Sequence, residues 1–354
     1  MADVRLGFIG AGAMGIIHLD TFRGAAGAKL AAVADVSEER AVRAAAEYGV
    51  EKTYTDSVRL IADPDIDAVV ISVPNALHAE LAVASLEAGK HVLLEKPMAM
   101  NAAEAEHILA AQQSSGMTLM IGHQMRWKAP IAAARRYIEE GRLGKVYYVK
   151  AGWLRRMGIP GWGTAYTSKA MMGGGCAVDI GVHMLDAALH VCAPRKPIGV
   201  YGAIYGAIGS QRKGIGTWGV PNWNGSFDVD DLATAMIRLN DGTIIHLEAS
   251  WAAYTDGEEN GPYLHVMGDQ GGIVIRDSGS RFLTEAEGQP VNEVLAEPSG
   301  DGVERLLLAE HFLTCIRSGA APLTDGWSGY RNQKVLDALY RSSETGSEIK
   351  IDDF

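Results

Sequence analysis

The chain has 354 residues, which is too long for one typical core and suits two domains. Its 47% hydrophobic and 21% charged residues are ordinary for a globular protein and exclude a largely disordered chain. A net charge of -11 argues against nucleic acid or an anionic membrane surface as the main partner.

Targeting signals and cysteine patterns are sparse. The opening MADVRLGFIG lacks the basic and apolar regions of a secretory signal. The sequence contains no run of about 18 apolar residues, so we expect no transmembrane helix. Three cysteines without CxxC spacing predict neither a disulfide framework nor a structural zinc site, and we expect no metal site. The pattern is typical of a cytoplasmic enzyme with reduced thiols.

The first 120 residues alternate between short apolar strands and amphipathic helices. Strands are predicted at VRLGFIG, KLAAVAD, IDAVVISVP, KHVLLEKP and MTLMIG, and the helix EERAVRAAAEYG should end at Gly49. This alternation predicts an α/β fold with a doubly wound parallel sheet of the Rossmann type, covered by helices on both faces.

A glycine-rich turn follows the first strand and opens the first helix. Gly10 permits the tight turn, Gly12 lets the backbone approach a pyrophosphate, and Gly15 allows close helix–strand packing. Ala13 and Met14 complete the turn, and their N–H groups would lie at the positive end of the helix dipole. The five residues are therefore candidates for binding the phosphates of a dinucleotide.

An acidic residue at the end of the second strand completes this fingerprint. Asp35 lies twenty residues beyond Gly15, where a carboxylate holds ribose hydroxyls. It would repel a 2′-phosphate, so the sequence favours NAD over NADP. Arg40 lies one helical turn further along, and the sequence leaves open whether it reaches a phosphate or is a solvated helix charge.

Further candidates lie where the next strands end, because the carboxyl ends of parallel strands face the ligand crevice. Glu95 and Lys96 end one strand, and we expect them beside the nicotinamide rather than as a surface ion pair. Pro97 is a candidate for a cis peptide bond. The preceding strand contributes three cofactor-facing candidates, Val73, Asn75 and His78. The histidine among them also fits a purely structural role in the following helix.

Longer alternating strands dominate after residue 123, where we place a domain boundary. Strands are predicted at KVYYVKAGW, PIGVYGAIYG, LATAMIRLNDGTIIHLEASW and YLHVMGDQGGIVIR, with a hairpin at Asp241–Gly242. They predict a second α/β domain over 124–354 with an open, mainly antiparallel sheet, one face of which is available to another subunit. RNQKVLDALYRSS predicts a terminal helix that packs back on the first domain or stays with the second.

The stretch GGGCAVDIGVHMLD, residues 173–186, predicts a helix with two neighbouring stripes. The apolar stripe consists of Val178, Val182, Leu185 and Leu189, and the polar stripe of Asp179, His183, Asp186 and His190. A histidine near a helix N-terminus is biased toward the neutral form that a general base needs. Asp179 and His183 are therefore catalytic candidates, while a solvated helix face is the alternative. The three glycines would leave space for a ligand.

Together, GFIGAGAMG, AVAD, EKPMA and GGGCAVDIGVHMLD resemble the Gfo/Idh/MocA oxidoreductases over nearly the whole chain. The resemblance implies NAD(P)-linked oxidation of a secondary hydroxyl on a sugar or cyclitol. It also implies a second domain that binds substrate and forms a homo-oligomer, a dimer or tetramer, through its sheet. The family's catalytic lysine, aspartate and histidine correspond to Lys96, Asp179 and His183.

Other substrate-binding candidates come from two segments. They are Arg126, Trp127, Arg155, Trp162 and Tyr166, which join Lys96, Asp179 and His183. Loop packing and surface charge explain the arginines and aromatic residues in these segments equally well. The insertion 209–227 is the least family-like part, and its tryptophans suggest a lid or a contact from a neighbouring subunit. Cys176 receives no role.

Two other functional classes fit parts of the pattern. One is a glycosidase that uses tightly bound NAD for transient oxidation before eliminating the glycoside. The other is a non-catalytic NAD-binding regulator, which retention of the lysine, aspartate and histidine disfavours. The expected small-molecule partner is a sugar or cyclitol substrate.

Overall fold

The computed structural model describes residues 3–257, 260–297 and 299–352. The chain divides into two compact units, Met1–Gln124 with Asp301–Gln333, and Met125–Gly300 with Lys334–Phe354. Residues 301–333, which the sequence interpretation assigns to the second domain, therefore group with the first unit.

Eleven α-helices and β-strands lie among the described residues before residue 124. They are β1 (Val4–Ile9), α1 (Ala13–Gly24), β2 (Ala28–Ala34), α2 (Glu38–Tyr48), β3 (Lys52–Tyr54), α3 (Ser57–Ile61), β4 (Ala68–Ile71), α4 (His78–Glu87), β5 (His91–Leu94), α5 (Ala102–Ser115) and β6 (Leu119–Ile121).

The first sheet has the strand order β3-β2-β1-β4-β5-β6, and its paired strands are parallel. This order is that of a Rossmann fold, so the predicted fold class of the first unit is confirmed. Helix α2 ends at Gly49, whose φ of 70° is left-handed, as expected for a C-terminal glycine cap. Strand β3 is not predicted, because three residues give too short a pattern.

The remainder of the chain adds further elements. They are α6 (Ala129–Glu139), β7 (Val146–Leu154), α7 (Lys169–Met172), α8 (Val182–Cys192), β8 (Pro197–Tyr205), β9 (Leu232–Leu239), β10 (Ile244–Ser250), β11 (Gly261–Gly268), β12 (Gly272–Arg276), β13 (Gly279–Ala286), β14 (Gln289–Val294), α9 (Val303–Ser318), α10 (Gly326–Thr345) and β15 (Ile349–Lys350).

The second unit is built on a nine-stranded sheet with the order β14-β13-β12-β11-β7-β10-β9-β8-β15. Its pairs are antiparallel except for β7 and β10, which run parallel. The predicted hairpin is present between β9 and β10, and Gly242 has a φ of 90° there. The predicted open, mainly antiparallel sheet is confirmed, whereas the sequence interpretation misses β13, β14 and β15.

The two faces of this sheet differ. Along β7, Val149 and Ala151 are fully buried, whereas the intervening Lys150 is exposed. The opposite face also exposes Tyr201 and Met236, which are paired neighbours on β8 and β9. One face thus forms the core of the unit, and the other presents mixed polar and apolar side chains.

Among the residues that the structure describes, one helical stretch, Lys169–Cys192, is long and apolar enough to cross a membrane, with a mean hydropathy of 1.3 over its best window. The sequence interpretation does not anticipate it. The structure buries 89% of that window inside the protein, which is typical of the central helix of a globular core.

Candidate active site

The glycine turn has the geometry of a dinucleotide cradle. Gly10 has a φ of 99°, and a Cβ there would lie 2.5 Å from the Ser72 carbonyl oxygen. A Cβ on Gly15 would lie 1.9 Å from the Gly10 carbonyl oxygen, so helix α1 can approach β1 this closely only without a side chain. At Gly12, a Cβ would meet no described atom within 4 Å. The turn is therefore closed toward the protein and open outward, which fits a pyrophosphate at the start of α1.

The Asp35 carboxylate connects this turn to helix α2. It accepts hydrogen bonds from the N–H groups of Ala11 and Ser37, each at 2.8 Å, and from the Arg40 guanidinium at 2.7 and 3.1 Å. Burial alone would raise the pKa of Asp35, but these hydrogen bonds outweigh it and lower the pKa. Asp35 is thus an anion at neutral pH, and Arg40 is its ion-pair partner rather than a solvated helix charge.

Glu95 points into the first unit. The residue is 6% exposed, and one of its carboxylate oxygens lies 2.8 Å from Nε2 of the buried His18 on α1. The other oxygen accepts the backbone N–H of Lys96 at 3.1 Å. Burial alone would raise the pKa of Glu95, yet the hydrogen bond and charge of His18 and the charge of Lys96 hold it well below its usual range. The structure therefore favours an anchoring role for Glu95 over direct cofactor contact.

Lys96 itself is half-buried, and the Lys96–Pro97 peptide bond is cis, as the sequence suggests. His78 lies behind this loop with no exposed surface. Its ring nitrogens lie 2.8 Å from the Pro97 carbonyl oxygen and 3.0 Å from the Val73 carbonyl oxygen. Because both nitrogens face backbone carbonyls, the structure corrects the cofactor-binding interpretation of His78: this ring joins two loops. Val73 is half-buried beside it, and Asn75 is 2% exposed.

The predicted catalytic helix begins as a π-helical turn, Ala177–Gly181, which continues into α8. Asp179 lies in the π turn and His183 at the start of α8, so the regular one-turn spacing expected from the sequence does not apply between them. Nor is there a solvated face. Asp186 is fully buried and His183 is 6% exposed. Most apolar side chains of α8 are buried as well. Single π turns inside helices are frequent at functional sites.

The glycines before this turn are required by packing. A Cβ on Gly174 would lie 1.9 Å from the Tyr340 hydroxyl oxygen, and one on Gly175 would lie 1.9 Å from the Asp230 carbonyl oxygen. At these two positions the space that the sequence interpretation reserves for a ligand is filled by the protein itself.

Asp230 holds the start of the π turn. Its carboxylate accepts hydrogen bonds from the N–H groups of Gly175 (2.7 Å) and Ala177 (2.8 Å), the Tyr340 hydroxyl (2.6 Å) and the Cys176 thiol (3.2 Å). Burial, reinforced by the nearby Asp230 charge, raises the pKa of Cys176 well above its usual value. Cys176 is therefore a protonated structural thiol.

Two tryptophans contact the two polar residues of the catalytic segment. The Trp251 indole Nε1–H donates to Asp179 Oδ2 at 2.9 Å. The Trp153 ring lies 5.9 Å from the His183 ring, centroid to centroid, and the Arg155 guanidinium lies 5.1 Å from the same indole ring. Arg155, a substrate candidate from the sequence, thus lies beside the tryptophan whose ring neighbours His183.

Arg126 is 7% exposed and pairs with the fully buried Asp186. Nε donates to one Asp186 oxygen at 2.8 Å and a terminal nitrogen to the other at 2.6 Å. Such a two-point contact between buried charges is strong support for a structural role, because neither charge could be left alone inside the protein. Trp127, its neighbour in the sequence, is half-buried.

Trp162 is a core residue in this structure. It is 3% exposed, its Nε1–H donates to the Gly209 carbonyl oxygen at 2.8 Å, and its ring stacks on Trp223 at 5.5 Å. Packing is therefore favoured over sugar stacking for Trp162. Tyr166 remains half-buried in the turn that follows.

The insertion 209–227 is attached to the Trp162 loop by backbone hydrogen bonds. Gly158 and Ile159 donate to Gly214, and Asn222 donates to Trp162. Trp218 and Trp223 are 44% and 49% exposed. This attachment favours a fixed surface over a freely moving lid.

Several residues of the site are absent from the sequence interpretation. They are His18, Trp153, Asp230, Trp251 and Tyr340. The sequence does carry one signal, since GW and SW end two predicted strands that are adjacent in the sheet. Within the described residues, no group of three or more His, Cys, Asp or Glu side chains is placed to hold a metal ion.

Comparisons with known proteins agree with this architecture. The family model described as "Oxidoreductase family, NAD-binding Rossmann fold" matches residues 4–123, and "GFO/IDH/MocA C-terminal domain" matches residues 131–274. D-glucoside 3-dehydrogenase of Escherichia coli is 30% identical over 352 residues, covering 99% of this chain and 98% of the relative. The scyllo-inositol 2-dehydrogenase (NAD(+)) of Bacillus subtilis is 26% identical, covering 99% and 97%.

A solved structure also matches over its full length. "Levoglucosan dehydrogenase, complex with NADH" has a TM-score of 0.87 at 25% identity, covering 99% of this chain and 100% of that one. The expected family, fold and NAD cofactor are thereby confirmed. The chain belongs to the Gfo/Idh/MocA oxidoreductase family, and its first unit is that family's NAD-binding Rossmann domain.

Proposed function

We propose that this protein is an NAD-dependent dehydrogenase that oxidises a secondary hydroxyl of a sugar, sugar derivative or inositol to a ketone, or runs the reverse reduction. The observation that carries the proposal is the segment Ala177–Cys192, which keeps Asp179 and His183 on one buried helix with an aromatic partner for each. A helix face used only for solubility would be exposed to water.

The chemistry assigns one task to each of three side chains. His183 removes the hydroxyl proton as general base, and the Lys96 ammonium stabilises the negative charge that develops on the substrate oxygen. Asp179 accepts a hydrogen bond from the substrate and orients it. When bound, NAD supplies the hydride acceptor. These roles follow the family resemblance, residue by residue.

The glycine turn and Asp35 would hold the cofactor in the first unit. The N–H groups at the start of α1 suit the pyrophosphate, with Ala13 and Met14 among them, and the Asp35 anion suits ribose hydroxyls. Because a 2′-phosphate would face that anion, NAD is the preferred cofactor.

Substrate contacts are proposed for the less buried candidates. Trp127 and Tyr166 are half-buried, and Arg155 lies beside the Trp153 ring. Relatives named for a D-glucoside and for an inositol support a polyhydroxylated substrate. Arg126 and Trp162 would support this pocket from within the protein.

A second copy of the chain is the proposed protein partner, and the cytoplasm the proposed compartment. The open sheet face exposes 55% of Tyr201 and 45% of Met236, side chains of the kind enriched in subunit interfaces. Light scattering on the purified protein should report a dimer or tetramer, whereas a monomer at all concentrations would contradict this.

A substrate panel tests the activity. The protein is mixed with NAD and with glucose, methyl glucosides, levoglucosan or inositols, and NADH absorbance is followed. At least one compound should give sustained NADH formation, and NADP should be used more slowly. No NADH from any compound, despite measurable NADH binding, would favour the regulator.

The NAD-dependent glycosidase is the alternative. It would release nitrophenol from a nitrophenyl glycoside with no net NADH, because the cofactor is regenerated in each turnover. Following nitrophenol and NADH in one cuvette separates the two: net NADH without nitrophenol supports the dehydrogenase, and nitrophenol without net NADH overturns it.

A further inference from the structure

Trp251 is fixed at both ends. It follows β10, is 1% exposed, and its backbone N–H donates to the Asp231 carbonyl oxygen at 2.8 Å. Its indole N–H donates to Asp179 at 2.9 Å. An indole N–H can only donate, and in a buried ring it needs an acceptor. The Asp179 carboxylate provides that acceptor.

The sheet brings this tryptophan to the catalytic segment. Strands β7 and β10 are parallel neighbours, with Trp153 opposite Ala249, so Trp251 emerges two residues beyond that pair. Trp153 and Trp251 therefore come from adjacent strand ends, and each contacts one polar residue of the segment.

The backbone beneath Asp179 is held by the segment that also holds Trp251. The Asp230 carboxylate caps the N–H groups that begin the π turn, while the next residue, Asp231, accepts the Trp251 backbone N–H. One short segment thus fixes both the main chain and, through Trp251, the side chain of Asp179. Neither contact is needed merely to fill the core, for which any apolar residue would suffice.

We propose that Trp251 is a positioning residue for the reaction: its indole N–H selects the orientation of the Asp179 carboxylate that receives the substrate hydroxyl. This inference rests on the role given to Asp179 in the proposed function. Trp251 holds the Oδ2 atom of this carboxylate. Losing the N–H removes one of the contacts that orient the carboxylate, which slows turnover while leaving the substrate-binding contacts elsewhere intact.

The test is a double-mutant cycle with the best substrate of the panel. Trp251→Phe should lower kcat by about 10- to 100-fold, the range for one hydrogen bond to a charged group, with KM changed by less than about threefold. In an Asp179→Ala background, which removes the acceptor of the indole N–H, the same substitution should change the remaining kcat by less than about twofold. NADH binding, measured by fluorescence, should match wild type in every variant.

Two further variants separate positioning from folding. Benzothienylalanine at position 251 keeps the bicyclic ring without the N–H, and it should reproduce the kcat loss even where Trp251→Phe is unstable. Tyr330→Phe removes a hydroxyl that donates to Glu106 on α5 instead. It should lower Tm while kcat stays within about threefold of wild type.

The outcomes distinguish the inference from the proposed function. Wild-type kcat in the benzothienylalanine variant, with Asp179→Ala impaired, overturns the role of Trp251 alone. Additive effects of Trp251→Phe and Asp179→Ala also overturn it. Unimpaired Asp179→Ala overturns the catalytic role of Asp179, and with it the basis of the inference.

Discussion

Buried carboxylates in this protein hold backbone N–H groups next to the residues proposed to do chemistry. Asp35 holds the glycine turn at Ala11, and Glu95 holds the N–H of Lys96. Asp230 holds the turn before Asp179. Because a carboxylate accepts several hydrogen bonds at once, one side chain can fix a loop that lacks regular secondary structure.

Arg40 should tune the choice between NADH and NADPH. Its guanidinium offsets part of the Asp35 charge that a 2′-phosphate would meet. Arg40→Ala should therefore raise the ratio of NADPH to NADH Kd by up to about fivefold, as expected for an ion pair that is half exposed. Fluorescence titration at low salt measures both constants. Arg43→Ala, an exposed neighbour on α2, is the matched control, and an unchanged ratio in Arg40→Ala would contradict the prediction.

His190 should link stability to pH. Burial, with repulsion from Arg126, lowers its pKa from 6.5 to about 4. A depressed folded-state pKa means that the unfolded chain takes up the proton first, so stability is lost as pH falls from 6.5 to about 4. Urea unfolding near neutral pH and near pH 4 should show a smaller loss for His190→Gln than for wild type. An equal loss would show that His190 does not contribute.

At the scale of elements, the π turn Ala177–Gly181 depends on the missing side chain of Gly175. Gly175→Ala should place a Cβ against the Asp230 carbonyl and lower the free energy of unfolding by about 1–3 kcal/mol. Urea denaturation measures this. Gly24→Ala, whose added Cβ would make an ordinary contact at 4.0 Å with Leu306, should be nearly neutral. Equal effects of the two substitutions would contradict the packing requirement.

Local patterns and distant pairings differ in how well they could be predicted. The glycine turn, Asp35 and the Asp241–Gly242 hairpin rest on residues close in the chain, and their chemistry is readable there. Asp230 and Trp251 reach the π turn only through sheet pairing. No spacing rule links residues so far apart, so spacing alone could not predict the supports of Asp179.

At the scale of the whole molecule, the chain combines a parallel sheet unit with a mainly antiparallel one. The sequence placed the boundary near 123, because the strand pattern changes there. It could not assign 301–333 to the first unit, since a helix such as α9 has an apolar pattern that fits either unit. Periodicity predicts that a helix is buried but does not identify what it packs against.

The most direct test is the steady-state kcat/KM of Lys96→Ala and His183→Ala with the best substrate and NAD. The proposed function predicts a loss of about 10²- to 10⁴-fold for His183→Ala, the range for removing a general base, and a comparable loss for Lys96→Ala. NADH Kd should change by less than about threefold in His183→Ala. Wild-type kcat/KM in either variant would contradict the assigned chemistry.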